Sequence, residues 1–351
     1  MNADRARGTT LRPSVFLGAV LVVIVVSILG LTIGPTSISP IDALREVASH
    51  IPLLHIHSSL PPAQGAIVWD LRLPRVVLAL LVGGLLALCG GSYQGVFRNP
   101  LADPYLLGVA AGAGFGATLA IVAGLHSGGG ASSDLIPLAA FAGALFAVAI
   151  TYAVGATGDR RRSSASLLLA GVAITSLLTA MQTFVQQRET DTIREVYSWI
   201  LGRLTTAGWH DVVLVLPYAI VSSTVLLIHR RTLDVLSVGD DEAATLGLHT
   251  NRVRAIVVVA ASLGTAAAVS VSGLIGFVGI IVPHTIRLLG GASYRVILPL
   301  SLLLGGAFLV AADIVARTAL APAEVPIGVI TAFFGAPFFV LVLRTRRIVT
   351  T

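Results

Sequence analysis

Apolar runs long enough to cross roughly 30 Å of hydrocarbon recur along this chain, and no other feature restricts its fold so strongly. They lie at 14–33, 76–97, 106–125, 135–154, 166–185, 212–228, 255–273, 276–289, 296–315 and 325–343. The eighth is short and interrupted by Gly279 and Pro283. In hydrocarbon a single segment can satisfy its own backbone only as a helix. The expected fold class is therefore all-α, a polytopic membrane protein with ten transmembrane helices in a single domain over 1–351. With 55% hydrophobic and 11% charged residues, the composition is far more apolar than that of soluble domains.

An even number of crossings puts both termini on one side, and the arginines say which. Arg5, Arg7, Arg12, Arg98, Arg160, Arg161, Arg162, Arg230, Arg231, Arg252, Arg254, Arg287, Arg295, Arg344, Arg346 and Arg347 fall on one side. Arg45, Arg72, Arg75, Arg188, Arg194, Arg203 and Arg317 fall on the other. The richer side is read as cytoplasmic, so both termini are expected there. The first run follows Arg5, Arg7 and Arg12 without a small-residue cleavage site, which predicts an uncleaved first span. The basic residues sit in small clusters between apolar runs and make no continuous patch, so the net charge of +6 points to topology and not to nucleic acid. All 23 basic residues are arginine. Without lysine the chain has no GxxxxGK[ST] phosphate loop and cannot be its own Walker-type ATPase. The single Cys89 lies in an apolar run, which rules out an internal disulfide.

Two polar stretches on the outer side, 34–73 and 186–211, are expected to form short surface helices. Tyr197, Trp199 and Trp209 in the second are read as interfacial aromatics. Gly108, Gly112 and Gly116 share one face of the third run, where small residues permit close helix contact. His50, His55 and His57 lack the nearby ligands of a metal site, and no metal is expected. Residues 84–108 and 264–290 echo each other: each passes from small residues through glycine and proline to Leu-Leu-Gly. Spans five apart run oppositely through a bilayer, so this is read as an inverted internal repeat.

The stretch 72–116, RLPRVVLALLVGGLLALCGGSYQGVFRNPLADPYLLGVAAGAGFG, resembles the iron-siderophore, haem and vitamin B12 permease family (FecCD-type) of ABC importers. So do WILGRLTTAGW at 199–209, LSVGDDEAATLGL at 236–248, GLIGFVGIIVPHTIRLLGG at 273–291, and ADIVAR followed by PAEVPIGVITAFFGAPFF, in the same order. The resemblance implies a vitamin B12 permease-like fold of ten helices and import of an iron chelate, haem or cobalamin across a bacterial inner membrane. It also implies a homodimer, two ATP-binding subunits and a periplasmic or lipid-anchored substrate-binding protein. ATP and magnesium would be bound by those ATPase partners, and this chain would hold no cofactor and catalyse no reaction. Membrane lipid surrounds such a chain.

By the same resemblance Arg72, Arg75 and Arg317 are expected to meet acidic residues of the binding protein. A guanidinium fork suits that role because it grips a carboxylate bidentately. The alternative is that they pair with neighbours such as Asp70, Asp313 and Glu324. The stretch 234–254 reads as a short helix with acids at its positive end and a glycine near its close. The resemblance makes Asp240, Asp241, Glu242, Ala243, Leu246, Gly247 and Leu248 the coupling helix seated in an ATPase cleft; an ordinary capped loop is the alternative. Asn99 and Leu101 in the turn after the second run, with Ser163 and Ser164, are placed by resemblance at the path or its inner gate; a tight turn would use the same residues. His284 is expected to hydrogen-bond inside the bundle. An ion-coupled secondary transporter also has ten spans and an inverted repeat, but calls for mid-membrane carboxylates that these runs lack.

Overall fold

The computed structural model describes residues 11–51, 56–125, 135–155, 164–205 and 207–348. Among them every regular element is helical, apart from an isolated bridge between Leu320 and Ala323. The order is α1 (Pro13–Thr32), α2 (Pro40–Ser49), α3 (Pro62–Ala66), a π turn (Ile67–Arg72), α4 (Leu73–Val96), α5 (Val109–Val122), α6 (Leu135–Gly155), α7 (Ser164–Arg188), α8 (Ile193–Ile200), α9 (Trp209–Ile228), α10 (Arg230–Leu236), α11 (Asp240–Thr245), α12 (Thr250–Ser272), α13 (Val278–Gly290), α14 (Tyr294–Thr318) and α15 (Ile327–Ile348).

Each apolar run carries one of these helices, but their lengths differ. Seven are long and apolar enough to cross a membrane: α1, the continuous Pro62–Val96 unit, α6, α7, α9, α12 and α14. Three apolar helices are shorter: α5, α13 and the Ile327–Val340 part of α15. The run at 106–125 therefore overstates its helix. Gly108 takes φ +83 just before α5, and Gly124 takes φ +69 just after it, a left-handed geometry that suits glycine and interrupts a helix.

α5 and α13 have a shared cause for being short. Each follows a non-helical segment, 97–108 or 273–277, and each segment ends in a left-handed residue, Gly108 or Phe277. The two segments meet inside the bundle. Tyr105 Oη donates to the Ile275 carbonyl at 2.9 Å and accepts from the Ile275 amide at 3.1 Å, and the Pro104 ring lies against Gly279. One side chain thereby satisfies both backbone groups of a residue that no helix serves, which is the condition for irregular backbone at membrane depth.

α4 runs through the middle, flanked by α9, α12, α13 and α14. Lipid tails are as apolar as leucine, so burial of apolar area does not hold such helices together; close packing does. α4 supplies it with glycine. A Cβ on Gly83 would stand 2.3 Å from the Gly305 carbonyl of α14, and one on Gly90 would stand 2.1 Å from the Gly279 carbonyl of α13. Gly112 and Gly116 of α5 stand equally close to the backbone of α6 at Gly143 and Ala139. The spans divide accordingly. α4, α12 and α14 bury 72%, 72% and 67% of their most apolar stretch, whereas α1, α6, α7 and α9 bury 17–28%. The first set is core, and the second turns apolar surface outward to lipid or to another subunit.

The surface stretches do form short helices, α2 and α8. His50 stacks on Trp69 at 3.7 Å, and Trp209 Nε1 donates to the Trp69 carbonyl at 3.0 Å. Trp199 is buried and Tyr197 exposed, so the interfacial reading fails for Trp199, which packs inward. His55 lies outside the described residues. His284 is buried, edge-on to Phe338.

The α4–α14 contact makes a direct test. Gly83→Ala forces a methyl onto backbone and is expected to cost about 1–3 kcal/mol, as overpacking does, read as a lower midpoint of thermal unfolding in detergent. Gly18→Ala, where nothing lies within 4 Å, is expected to leave that midpoint unchanged or higher.

Candidate functional site

At the end that the arginine count assigns outside, Arg72 and Arg317 are 6% and 5% exposed, and the acceptors that hold them are mostly backbone. Arg72 Nη1 donates to the carbonyls of Leu31 at 2.8 Å and Thr32 at 3.1 Å, and Nη2 donates to that of Thr36. Arg317 Nη2 donates to the Gly30 carbonyl, and its Nε lies 3.7 Å from Asp313. Helix α1 ends at Thr32, so Gly30, Leu31 and Thr32 carry carbonyls without an intrahelical partner. The two cations supply the missing donors, and their charge suits the negative end of the helix. In this chain the guanidinium forks of Arg72 and Arg317 are engaged in closing α1.

Arg75 completes the cluster. Its Nε and Nη2 grip Asp313 at 2.8–3.1 Å, and Nη1 and Nη2 bind Glu324 at 3.0 and 2.9 Å. Thr205 Oγ1 donates to Glu324 at 2.9 Å. Arg75 and Glu324, with Arg203, line an outward-opening cleft of ≈ 230 Å³. This is the alternative pairing, Arg75 with Asp313 and Glu324, and these three side chains line the cleft together with Arg203.

At the opposite end the chain turns through α10 and α11. Asp234 of α10 accepts from Ser293 Oγ at 2.8 Å and from the Tyr294 amide at 2.6 Å, which fixes α10 to the start of α14. α11 begins with Asp240, Asp241 and Glu242 and ends in a Schellman cap: the Leu248 amide bonds the Ala243 carbonyl, the Gly247 amide bonds the Ala244 carbonyl, and Gly247 takes φ +80. The two sides of this helix differ. Ala243 is fully buried against the bundle, while Leu246 is 73% and nearby Val238 68% exposed. Leu248 is half-buried.

The turn after α4 is tight. Asn99 Oδ1 accepts from the Leu101 amide at 3.0 Å, and the Asn99 carbonyl accepts from the Ala102 amide; both Asn99 and Leu101 are half-buried. Ser163 lies outside the described residues, and Ser164 opens α7.

A groove of ≈ 330 Å³ runs between α7, α5 and α8. Thr175, Thr179, Thr183 and Gln186 bring hydroxyl and amide groups to it from α7, and Ala110 and Ala111 bring small apolar surface from α5. Gln182 anchors the two helices by donating to Thr118 Oγ1 at 3.1 Å, and Gly114 leaves room for its amide. Among the described residues no charged side chain lines the groove. The stripe at 175, 179, 183 and 186 was readable as polar residues at helical spacing inside an apolar run, yet the sequence analysis singled out none of them.

Glu324 provides a pH test of the outer cluster. Burial pushes its carboxyl up, but the Arg75 hydrogen bonds and charge, the Thr205 hydroxyl and Arg317 outweigh burial and hold it below its ordinary value. A depressed acid contributes stability that is present above its unfolded value and lost as pH falls through the folded one. The wild-type unfolding midpoint is expected to drop below the ordinary glutamate range, and Glu324→Gln to flatten part of that drop in a pH series of melts.

The FecCD transport family model matches residues 21–345. The chain is 45% identical to the cobalamin import system permease protein BtuC of Halobacterium salinarum over 82% of this chain and 76% of the relative. It is 38% identical to the iron(3+)-hydroxamate import system permease protein FhuB of Bacillus subtilis over 80% and 72%. With the hemin transport system permease protein HmuU of Yersinia pestis it shares 36% identity over 96% and 97%. A solved structure described as an inward-facing conformation of a metal-chelate type ABC transporter superposes with a TM-score of 0.81 at 29% identity, covering 95% of this chain and all of the other. With the family's model matched over nearly its whole length and the same helical bundle in a solved relative, this chain belongs to the FecCD transport family.

Proposed function

We propose that this chain is the membrane subunit of an ATP-driven importer of a metal chelate, working as a dimer of itself with two ATP-binding subunits and a substrate-binding protein. The observation that carries this reading is α11. A helix of six residues, anchored through buried Ala243 and capped at Gly247, presents the exposed apolar side chains of Leu246 and Val238 at the arginine-rich end. Exposed apolar groups set on a rigid stub suit a soluble partner, and this chain has no nucleotide loop of its own. Asp241 and Glu242 border that surface, and Leu248 backs it.

The long and short apolar helices together give ten crossings of a plasma membrane, with both termini on the cytoplasmic side. The matching breaks before α5 and α13 support two inverted halves within one unit. In this reading the α7 groove is half of a path that a second copy completes. The turn at Asn99 and Leu101, with the start of α7 near Ser163 and Ser164, lies toward the inner gate. At the outer end, the edge of the Arg75–Glu324 pair receives an acidic surface of the binding protein, and Arg72 and Arg317 keep that rim in place. A path of hydroxyl, amide and small apolar groups suits a bulky chelate. The relatives named for cobalamin, iron(3+)-hydroxamate and hemin set the three cargoes to try first.

Reconstituted with its ATP-binding and substrate-binding partners in vesicles, the complex is expected to accumulate one of these three chelates only when ATP is supplied on the side of the ATPase. Accumulation driven by a proton or sodium gradient without ATP would show an ion-coupled transporter instead. Leu246→Arg places a charge on the exposed face without touching the core. It is expected to lower co-purification of the ATP-binding subunit by at least about tenfold, the loss expected of an interface anchor.

A further inference from the structure

Within the loop that carries α11, one residue is tied to two other parts of the bundle. Asp240 Oδ2 lies 3.0 Å from Arg98 Nη2. Arg254 Nη2 donates to Asp240 Oδ1 at 3.0 Å and to Oδ2 at 3.2 Å. Arg98 lies in the connector just after α4 and Arg254 belongs to the second turn of α12, so a single carboxylate joins the first residue of α11 to that connector and to α12. Asp241 and Glu242, next in sequence, are exposed.

The position of Arg98 is unusual. It takes φ +50, a conformation that glycine adopts without a Cβ clash and that other residues rarely adopt. An arginine at this turn reaches a carboxylate that glycine could not. Arg98 and Asp240 are also 39% and 41% exposed, and ion pairs so open to solvent contribute little to stability. Fold stability therefore does not explain this contact. The Arg254 guanidinium is 6% exposed, and a charge so placed requires anionic company.

The two arginines lead to one place. The connector beginning at Arg98 runs through Asn99 and Pro104 to Tyr105, and α12, which holds Arg254, runs to the break at 273–277. These are the two segments that Tyr105 joins at Ile275. Asp240 is thus linked, through Arg98 and Arg254, to both segments that form the central junction.

We propose that Asp240 is an ionic pin that transmits movement of α11 to the α4–α5 connector through Arg98 and to α12 through Arg254. This rests on reading α11 as the element that contacts the ATPase. Asp240 and Arg98 are positioning residues and touch no cargo.

The test uses the full complex in vesicles and measures cargo taken up per ATP hydrolysed. Arg98→Gln is expected to keep the ATPase subunits bound and hydrolysing, while uptake per ATP falls on the order of tenfold, within the range of coupling free energies; Asp240→Asn is expected to lower the same ratio. Arg98→Lys, which retains the charge, is expected to restore the ratio. The double variant Arg98→Gln with Asp240→Asn is expected to be no worse than the poorer single, because residues acting through one contact are not additive. An unchanged ratio in Arg98→Gln, or fully additive losses in the double variant, would overturn the pin. Leu246→Arg separates this from the underlying reading. If that variant keeps the ATPase bound and coupled, α11 is not the contact element; if it loses the ATPase while Arg98→Gln transports normally, only the pin is lost.

Discussion

A backbone amide or carbonyl without a partner costs several kcal/mol in hydrocarbon, and the side chains that matter most here are those that meet this demand where helices stop. Tyr105 serves both groups of Ile275 between two broken helices. Arg72 and Arg317 serve the last carbonyls of α1. Asp234 serves the first amide of α14. Each of these contacts lets a helix end inside the bundle or at its edge, and the ends create the groove, the junction and the loops on which a transport cycle depends. A bundle of uninterrupted helices would satisfy its backbone more simply and would have no interior surface to offer.

Glycine placement follows from the same demand. Once α5 and α13 start inside the protein, α4 must lie close to both irregular segments, and only residues without a side chain allow backbone to approach backbone as Gly90 approaches Gly279. The result is a dense core of α4, α12 and α14 within a looser ring. The helix that carries the polar groove, α7, belongs to that ring. A helix that shares little surface with the core can shift against it without breaking the contacts that hold the fold, whereas α4 cannot.

Much of this was legible in the chain. Apolar runs located the helices because length and hydropathy suffice for that. The acids and glycine of 240–247 located α11 because caps and charge at helix ends are local effects. The shortness of α5 was not legible, since Leu106 and Leu107 look as apolar as any helical residue and the interruption comes from the backbone angle of Gly108. The contacts of Arg72 and Arg317 within the chain were not legible for a related reason. Their acceptors are carbonyls of Gly30, Leu31, Thr32 and Thr36, and a carbonyl leaves no trace in the identity of its residue. Arg75, whose acceptors are the side chains of Asp313 and Glu324, was anticipated as one of two alternatives.

The groove on α7 has a polar lining that is partly satisfied within the helix itself. Thr183, one of the groove's hydroxyls, donates to the Thr179 carbonyl at 2.9 Å, so its proton is already committed to its own helix. The Thr183 oxygen can still accept, so this hydroxyl offers the groove an acceptor and not a donor. Among the described residues no charged side chain lines the groove, so on the proposed path no ion pair would have to be broken for cargo to leave. Conduction requires entry without strong retention, and the proposed path would meet that requirement with hydroxyl, amide and small apolar groups.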